Sequence, residues 1–221
     1  MLNDSFLHVK SQIEKTRQSA VGSAEMVHLI AVSKQQPDEK IEAALATGHR
    51  LFGENRVQEA TERWAHRRAL FPDLRLHLIG PLQSNKAAEA VALFDVIETI
   101  DRPKIAKAVS AEMIKQDKKR SCFIQVNTGE EPQKSGIAPQ DTLDFVTYCQ
   151  KDLGLPVMGL MCIPPQTEEP AMHFALLKKL AQQAGLPHLS MGMSADYEDA
   201  IAFGADYVRV GSALFGERLP R

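Results

Sequence analysis

The chain contains little cysteine and few aromatic side chains: three cysteines, one tryptophan and three tyrosines among 221 residues. Cys122, Cys149 and Cys162 lie far apart in apolar surroundings, and the sequence has neither a C-x-x-C motif nor a Cys/His ligand spacing. This pattern argues against a disulfide framework, a metal site and a catalytic thiol. Because free cysteine behaves as a small apolar residue, we expect three buried, unpaired thiols.

Long apolar runs and a strong charge excess are also missing. No stretch reaches the ~18 apolar residues that a membrane-spanning helix needs, and residues 1–15 indicate an amphipathic helix rather than a signal peptide. Lys and Arg total 26 against 28 Asp and Glu, and this net charge of −2 offers no general attraction for nucleic acid or an anionic membrane. We therefore expect a cytoplasmic protein whose anion sites are local.

What the sequence does contain is a repeated alternation of short apolar runs and helical patterns. Helical patterns at residues 38–46, 85–94, 103–113 and 172–181 lie between such runs. A strand followed by a helix, repeated along the chain, indicates a parallel sheet. The candidate strands are Val27–Val32, Leu51–Phe52, Leu74–Ile79, Val96–Ile100, Cys122–Val126, Val157–Cys162, His188–Met191 and Tyr207–Val210.

Two architectures fit this alternation, a closed barrel and an open doubly wound sheet. The open sheet would usually carry a glycine-rich dinucleotide turn after its first strand, whereas here that turn reads Ser33–Pro37 and has no glycine. We predict an α/β protein, a single-domain (β/α)8 TIM barrel of residues 1–221 with an N-terminal helix. Four glycines stand between a helical pattern and a strand, where a left-handed cap is wanted: Gly48, Gly154, Gly185 and Gly204.

Lys34 is the most informative single residue, because it ends the apolar run that begins at His28. In (β/α)8 barrels the active groups lie at the carboxyl ends of the strands. Lysine is normally a solvated surface residue, but burial and neighbouring cations there would lower the pKa of the amine and favour its neutral, nucleophilic form. Such an amine could hold an aldehyde as an imine.

An anion site is predicted about 160 residues after Lys34. Ser194 precedes a helical pattern and is expected to be its N-cap, either a plain cap or one that also holds phosphate. Gly211 and Ser212 follow the last strand, where glycine lets the backbone approach a ligand closely. Arg209 shares a strand face with Gly211, and a buried arginine must be paired or line a site. Barrel closure would place this anion site beside Lys34.

A set of motifs runs in order along the chain: Ile30–Lys34, Phe52–Asn55, His77–Gly80, Leu82–Lys86, Gly159–Met161, Met191–Asp196 and Arg209–Gly216. Any one of these motifs is weak evidence, but their joint occurrence in this order is specific. Together they resemble the pyridoxal phosphate homeostasis protein family over nearly the full length. The resemblance implies a barrel similar to the N-terminal domain of alanine racemase.

The resemblance also implies a cofactor and a set of residues that hold it. The cofactor is pyridoxal 5′-phosphate (PLP), joined covalently to the position of Lys34 as an imine. Ser194, Gly211 and Ser212 would hold the phosphate, and Arg209 would face the pyridine nitrogen. The residues placed near the ring are Asn55, His77 and Met161.

These assignments limit the expected chemistry. PLP enzymes use the ring as an electron sink, and an arginine at the pyridine nitrogen would leave that nitrogen unprotonated and weaken the sink. Alanine racemase completes its site with a second domain, which we do not expect here because only nine residues follow Ser212. We therefore predict a non-catalytic PLP-binding protein that stores or delivers the cofactor and influences vitamin B6 and amino-acid balance.

Two enzyme functions remain as alternatives, a Schiff-base aldolase acting on a phosphosugar and a residual amino-acid racemase. A barrel, a lysine and a phosphate loop suit the aldolase as well, although the aldolase lysine usually lies on a middle strand. Lys134, in the loop after the fifth strand, is either a solvated loop charge or a second amine that passes PLP on to apoenzymes that need it. We expect a monomer, because the missing second domain removes one usual dimer surface.

Overall fold

The computed structural model describes residues 2–216, and these residues build a closed barrel of eight parallel strands. The strands are β1 (His28–Val32), β2 (Leu51–Glu54), β3 (Arg75–Leu78), β4 (Val96–Ile100), β5 (Ser121–Val126), β6 (Val157–Cys162), β7 (His188–Met193) and β8 (Tyr207–Val210). Each strand pairs with the next, and β8 pairs with β1 to close the barrel. The predicted (β/α)8 barrel is confirmed. Met1 and residues 217–221, included in the predicted domain limits, lie outside the described residues.

The observed bounds of β4, β6 and β8 agree with the predicted ones, whereas β2 is longer than predicted. Gly53 and Glu54 continue the strand because they pair with His77 and Leu78 of β3. A glycine followed by a charged residue is typical of a turn in sequence. Here the neighbouring strand provides the hydrogen-bond partners that extend β2.

Helices cover the outside of the barrel. They are α1 (Leu2–Ser19), α2 (Asp38–Ala46), α3 (Val57–Trp64), α4 (Arg67–Leu70), α5 (Ala87–Leu93), α6 (Pro103–Lys115), α7 (Thr142–Thr147), α8 (Pro170–Gln183), α9 (Tyr197–Ala202) and α10 (Ser212–Phe215). Short 3₁₀ turns, Ser84–Lys86 and Pro139–Asp141, precede α5 and α7, and a π-helical turn, Tyr148–Asp152, follows α7. Within residues 2–216 no helix has the length and apolar character needed to cross a membrane.

Local signals set several helix ends. α6 and α8 begin with Pro103 and Pro170, whose fixed φ suits the first helical position. Gly48 and Gly185, which follow α2 and α8, have φ of +81° and +65°, in the region that favours glycine. An added Cβ at either glycine would meet no atom within 4 Å, so the backbone conformation alone requires glycine there. The other two predicted left-handed caps, Gly154 and Gly204, are confirmed as well.

α1 lies across the last elements of the barrel. Phe6, Val9 and Ile13 are buried on one face of this helix, the spacing of an amphipathic helix. α1 packs against α9 and α10, and the Phe6 ring meets the Phe215 ring edge-on at 6.0 Å. α1 therefore braces α10, whose first residue, Ser212, belongs to the predicted anion site.

The molecule has an apolar layer between strands and helices and a partly polar barrel interior. Glu98 on β4 and Ser190 on β7 are fully buried and hydrogen-bonded to each other, although their strands are not neighbours in the sheet. Their bond must therefore cross the inside of the barrel. The three cysteines, Cys122, Cys149 and Cys162, are buried and free, as predicted.

Candidate functional site

A cavity of about 270 Å³ opens at the carboxyl ends of the strands. Its volume lies just below the roughly 300–1,000 Å³ typical of small-molecule sites. Apolar side chains such as Val32, Ile79 and Ile163 form part of its wall. Six of the residues predicted to bind the cofactor also line it: Lys34, Asn55, Ser194, Arg209, Gly211 and Ser212.

Lys34 reaches this cavity from a tight turn that follows β1. The N–H of Gln36 donates to the Ser33 carbonyl at 3.1 Å, which closes a turn with Lys34 and Gln35 at its centre. Gln35 has φ of +60°, an uncommon conformation for a residue with a side chain. The direction in which the Lys34 side chain leaves the backbone is therefore set by a turn with a specific shape.

Ser194 follows β7 and lines the same cavity, and its local role differs from the predicted one. α9 begins at Tyr197, and the capping position is held by Asp196, so the expectation that Ser194 is the N-cap is wrong. The reason is a turn before the helix, in which Asp196 accepts a hydrogen bond from the Met193 N–H at 2.6 Å. The Ser194 hydroxyl instead accepts the Gly211 N–H at 3.2 Å. This bond joins the loops after β7 and β8 into one wall.

Gly211 brings the backbone to the cavity without any conformational need for glycine. Its φ of −119° is open to every residue type. An added Cβ would lie 3.5 Å from the nearest protein atom, on Val32, which is an ordinary contact. Ser212 follows as the first residue of α10, where backbone N–H groups have no intrahelical acceptor. This corner of the cavity therefore offers the Ser212 N–H as a donor, whereas the Gly211 N–H is bonded to Ser194.

Arg209 forms the floor of the cavity and is almost fully buried. Its Nη1 donates to the Ser190 hydroxyl and its Nη2 to the Cys162 carbonyl, both at 2.7 Å. Ser190 in turn donates to Oε2 of Glu98 at 2.6 Å, and that oxygen lies 3.9 Å from Arg209. The charge of the buried guanidinium is therefore balanced by Glu98 inside the barrel, while Arg209 also lines the cavity.

Glu98 joins Arg209 to His77. Oε1 of Glu98 lies 2.6 Å from Nδ1 of His77, and both side chains are buried. Burial alone would raise the pKa of Glu98, but His77, Arg209 and Ser190 together hold it below its usual value. The network therefore keeps an anionic carboxylate inside the barrel. Glu98 has no role among the sequence predictions, although an acid within the apolar run Val96–Ile100 indicates that a buried cation faces it.

His77 and Met161 lie deeper than the other predicted residues. Neither is among the described residues that line the cavity, although Ile79 and Ile163, two positions later and just beyond the ends of β3 and β6, do line it. His77 is 3% exposed and Met161 is fully buried. Their predicted closeness to a cofactor ring stays a prediction.

Lys134 occupies a separate position in the loop after β5. Its Nζ is 2.5 Å from a Glu131 carboxylate oxygen and 3.5 Å from the Pro164 carbonyl, which belongs to the loop after β6. Lys134 is not among the described residues that line the cavity. The structure therefore holds the Lys134 amine in an ion pair within a loop at the carboxyl end of the barrel.

The chain matches the sequence model of a known family, the alanine racemase N-terminal domain, over residues 7–219. It is 40% identical to the pyridoxal phosphate homeostasis protein of Vibrio cholerae over 221 residues, which covers 96% of this chain and 94% of that protein. It is 37% identical to the pyridoxal phosphate homeostasis protein of Escherichia coli over 219 residues, with 95% and 94% covered.

Solved structures give the same result for the fold. PipY of Synechococcus elongatus with PLP bound has a TM-score of 0.84 and 35% identity, covering 98% of this chain and 100% of that chain. An alanine racemase from Clostridium difficile has a TM-score of 0.69 at 14% identity, covering 95% of this chain and 56% of that chain. The second likeness shows a shared fold alone.

Proposed function

The chain belongs to the family of pyridoxal phosphate homeostasis proteins, and we propose that it binds PLP covalently through Lys34 in order to store or deliver the cofactor. In this proposal it contributes to vitamin B6 and amino-acid homeostasis without robust catalysis. The observation that carries the proposal is one cavity that gathers the Lys34 amine and the Ser194, Gly211 and Ser212 loops from distant parts of the chain. The PLP-bound structure of the relative PipY supports it.

The glycine at position 211 is evidence for the proposal that the phosphate of PLP binds at the end of β8. Neither its backbone conformation nor the packing of the protein requires glycine at this position. A ligand that approaches the backbone closely does require it, because any side chain there would take up room in the cavity. The Ser212 backbone N–H and the Ser194 hydroxyl are suitable donors for a phosphate group, whereas the Gly211 N–H donates to Ser194.

Arg209 is evidence for the proposal that the protein binds PLP without robust catalysis. When bound, PLP supplies an electron sink, which is strongest with a protonated pyridine nitrogen. A guanidinium has five donors and no acceptor, so at that nitrogen it favours the unprotonated form. Ser190 and Cys162 hold Arg209 in one orientation. We therefore expect the exchange of an amino acid's Cα proton in deuterated water to be no faster with this protein than with free PLP, whereas faster exchange would point to a racemase.

Borohydride trapping tests the covalent link. Purified protein mixed with PLP should show an imine absorption band, and borohydride should fix the cofactor on Lys34, located by peptide mass spectrometry. The Lys34→Ala variant should lose the band. Lys134→Ala is the matched control, because it removes another lysine near the same end of the barrel and should keep the band.

Each contrary outcome of this experiment has a distinct meaning. A wild-type protein that takes up no PLP would refute the proposal. An undiminished band in Lys34→Ala would place the cofactor on another lysine. Trapping with a sugar phosphate, but not with PLP, would identify the Schiff-base aldolase instead.

We further propose that Lys134 is the second amine through which PLP leaves for apoenzymes. The support is its position in the loop after β5, tied to the neighbouring loop through Pro164. To accept the cofactor it must separate from Glu131, so Glu131→Gln should speed transfer and Lys134→Ala should slow it. Transfer from Lys134→Ala to an acceptor apoenzyme at the wild-type rate would exclude this role.

The proposal includes a monomer located in the cytoplasm. Light scattering coupled to size-exclusion chromatography, with and without PLP, tests the first part. A mass near twice the 24.4 kDa of the chain would refute it. Cell fractionation tests the second part.

A further inference from the structure

The turn that carries Lys34 is held from below by a buried carboxylate. Glu54, the last residue of β2, is fully buried. Its Oε1 accepts hydrogen bonds from the Ser33 hydroxyl at 2.7 Å and from the Trp64 indole N–H at 3.0 Å. One carboxylate oxygen thus joins the residue before Lys34 to α3 on the outside of the barrel.

Arg63 completes the arrangement and holds both ends of the turn. Its Nη1 donates to Glu54 at 2.7 Å and to the Ser33 carbonyl at 3.0 Å. Its Nη2 donates to the Gln36 carbonyl at 3.0 Å. Only Lys34 and Gln35 lie between the two carbonyls that this guanidinium binds.

The turn needs such support because of its backbone shape. Gln35 has φ of +60°, where a residue with a Cβ is disfavoured unless its surroundings impose that conformation. With the carbonyls of Ser33 and Gln36 released, the turn would relax and the direction of Lys34 would change. A purely stabilising ion pair would not need to bind both ends of this particular turn.

We propose that Glu54 and Arg63 are positioning residues, which fix the Lys34 amine in the orientation required for attack on an aldehyde. This inference rests on the proposed function, since it concerns the same lysine and cofactor. Neither residue is among the described residues that line the cavity. Glu54 binds the Ser33 hydroxyl and Arg63 binds the Ser33 and Gln36 carbonyls, so both act through the turn. They should therefore affect formation of the covalent link more than binding of the cofactor's phosphate and ring.

The test separates these two steps in Glu54→Gln and Arg63→Met. Pyridoxine 5′-phosphate carries an alcohol in place of the aldehyde, so its affinity reports binding without imine formation. We expect both variants to keep wild-type affinity for it. The rate of imine formation with PLP, followed by stopped-flow absorbance, should fall by about 10- to 100-fold, as expected when a reacting group is misplaced by about 1 Å.

Asp95→Asn is the control for general destabilisation. Asp95 lies just before β4, at the other end of the barrel, and it binds Arg68 at 2.5 Å and the Leu76 N–H at 2.8 Å. This variant also breaks a partly buried ion pair, but it should form the imine at the wild-type rate.

The outcomes distinguish this inference from the proposed function. If the wild type forms no imine, the proposed function fails and the inference falls with it. If the wild type forms the imine and Arg63→Met does so at the same rate, only the positioning role is refuted. An equal loss of analogue affinity and imine rate would also refute it, because that result means a distorted site rather than a misdirected lysine.

Discussion

Replacing Glu98 by Gln tests the reasoning about the barrel interior. The substitution keeps the size and shape of the side chain, so it creates no cavity. It removes the negative charge that lies 3.9 Å from Arg209 and 2.6 Å from His77. Arg209 would keep its bonds to Ser190 and Cys162 but would lose the only carboxylate that faces it among the described residues.

The expected loss of stability is large because both charged groups are buried. Removing one partner of a buried ion pair costs about 3–5 kcal/mol, since the other charge is left uncompensated. We expect about 3 kcal/mol, because the Gln amide can still bond to Ser190 or His77. For a chain of this size about 1 kcal/mol shifts the melting temperature by roughly 2–4 °C, so the shift should be about 6–12 °C.

Denaturant unfolding of the cofactor-free protein measures this loss, and a double-mutant cycle assigns it. Arg209→Met removes the buried cation, so the double variant Glu98→Gln/Arg209→Met should be more stable than the sum of the single losses predicts. A loss below about 1 kcal/mol for Glu98→Gln, the value of an exposed pair, would mean that Glu98 and Arg209 do not form a strong buried ion pair. Strict additivity in the cycle would lead to the same conclusion.

The pH dependence gives an independent check. The folded protein holds the pKa of Glu98 below its usual value, against the opposing effect of burial. The stabilisation by this carboxylate is therefore fully present above the unfolded pKa of about 4.3 and is lost as the pH falls through the lower folded pKa. The stability gap between wild type and Glu98→Gln should stay constant near neutral pH and narrow only in acid below about pH 4.

Three further predictions concern other parts of the chain. Burial lowers the pKa of His49 to about 4. About 3 kcal/mol of stability should therefore be lost as the pH falls from 6.5 to 4. In melts at different pH values, His49→Gln should show a weaker dependence of stability on pH over this range. Burial raises the pKa of Cys149 and Cys162 to about 12. Iodoacetamide at pH 8 should therefore label these thiols only after unfolding. Rapid labelling of the native protein would contradict their burial. Gly211→Ala should keep wild-type stability but weaken PLP binding in a titration. Gly185→Ala is the control, because alanine there must adopt a left-handed φ. It should lower the free energy of unfolding by about 1–2 kcal/mol and leave PLP binding unchanged.

Much of the fold could be predicted from the sequence, because the signals that set helix ends and turns are local. Left-handed glycines such as Gly48 and the prolines that open α6 and α8 act within one turn of the chain. β2 is longer than its local sequence predicts. Gly53 and Glu54 belong to the strand because they pair with β3, not because of their own β propensity. The cap at Ser194 was wrongly predicted for a related reason. Asp196 competes for the same turn, and its bond to Met193 decides the outcome.

The alternation of strands and helices, the buried thiols and the place of Lys34 after the first strand follow from local sequence patterns. Those properties depend on the spacing of apolar residues and on the conformational preferences of single residues. Barrel closure and helix packing, by contrast, bring Glu98 to Arg209 and bring Glu54 and Arg63 to the Lys34 turn. Each of these contacts depends on the register of strands or helices far apart in sequence, because a buried charge finds its partner only where closure of the barrel brings one within reach.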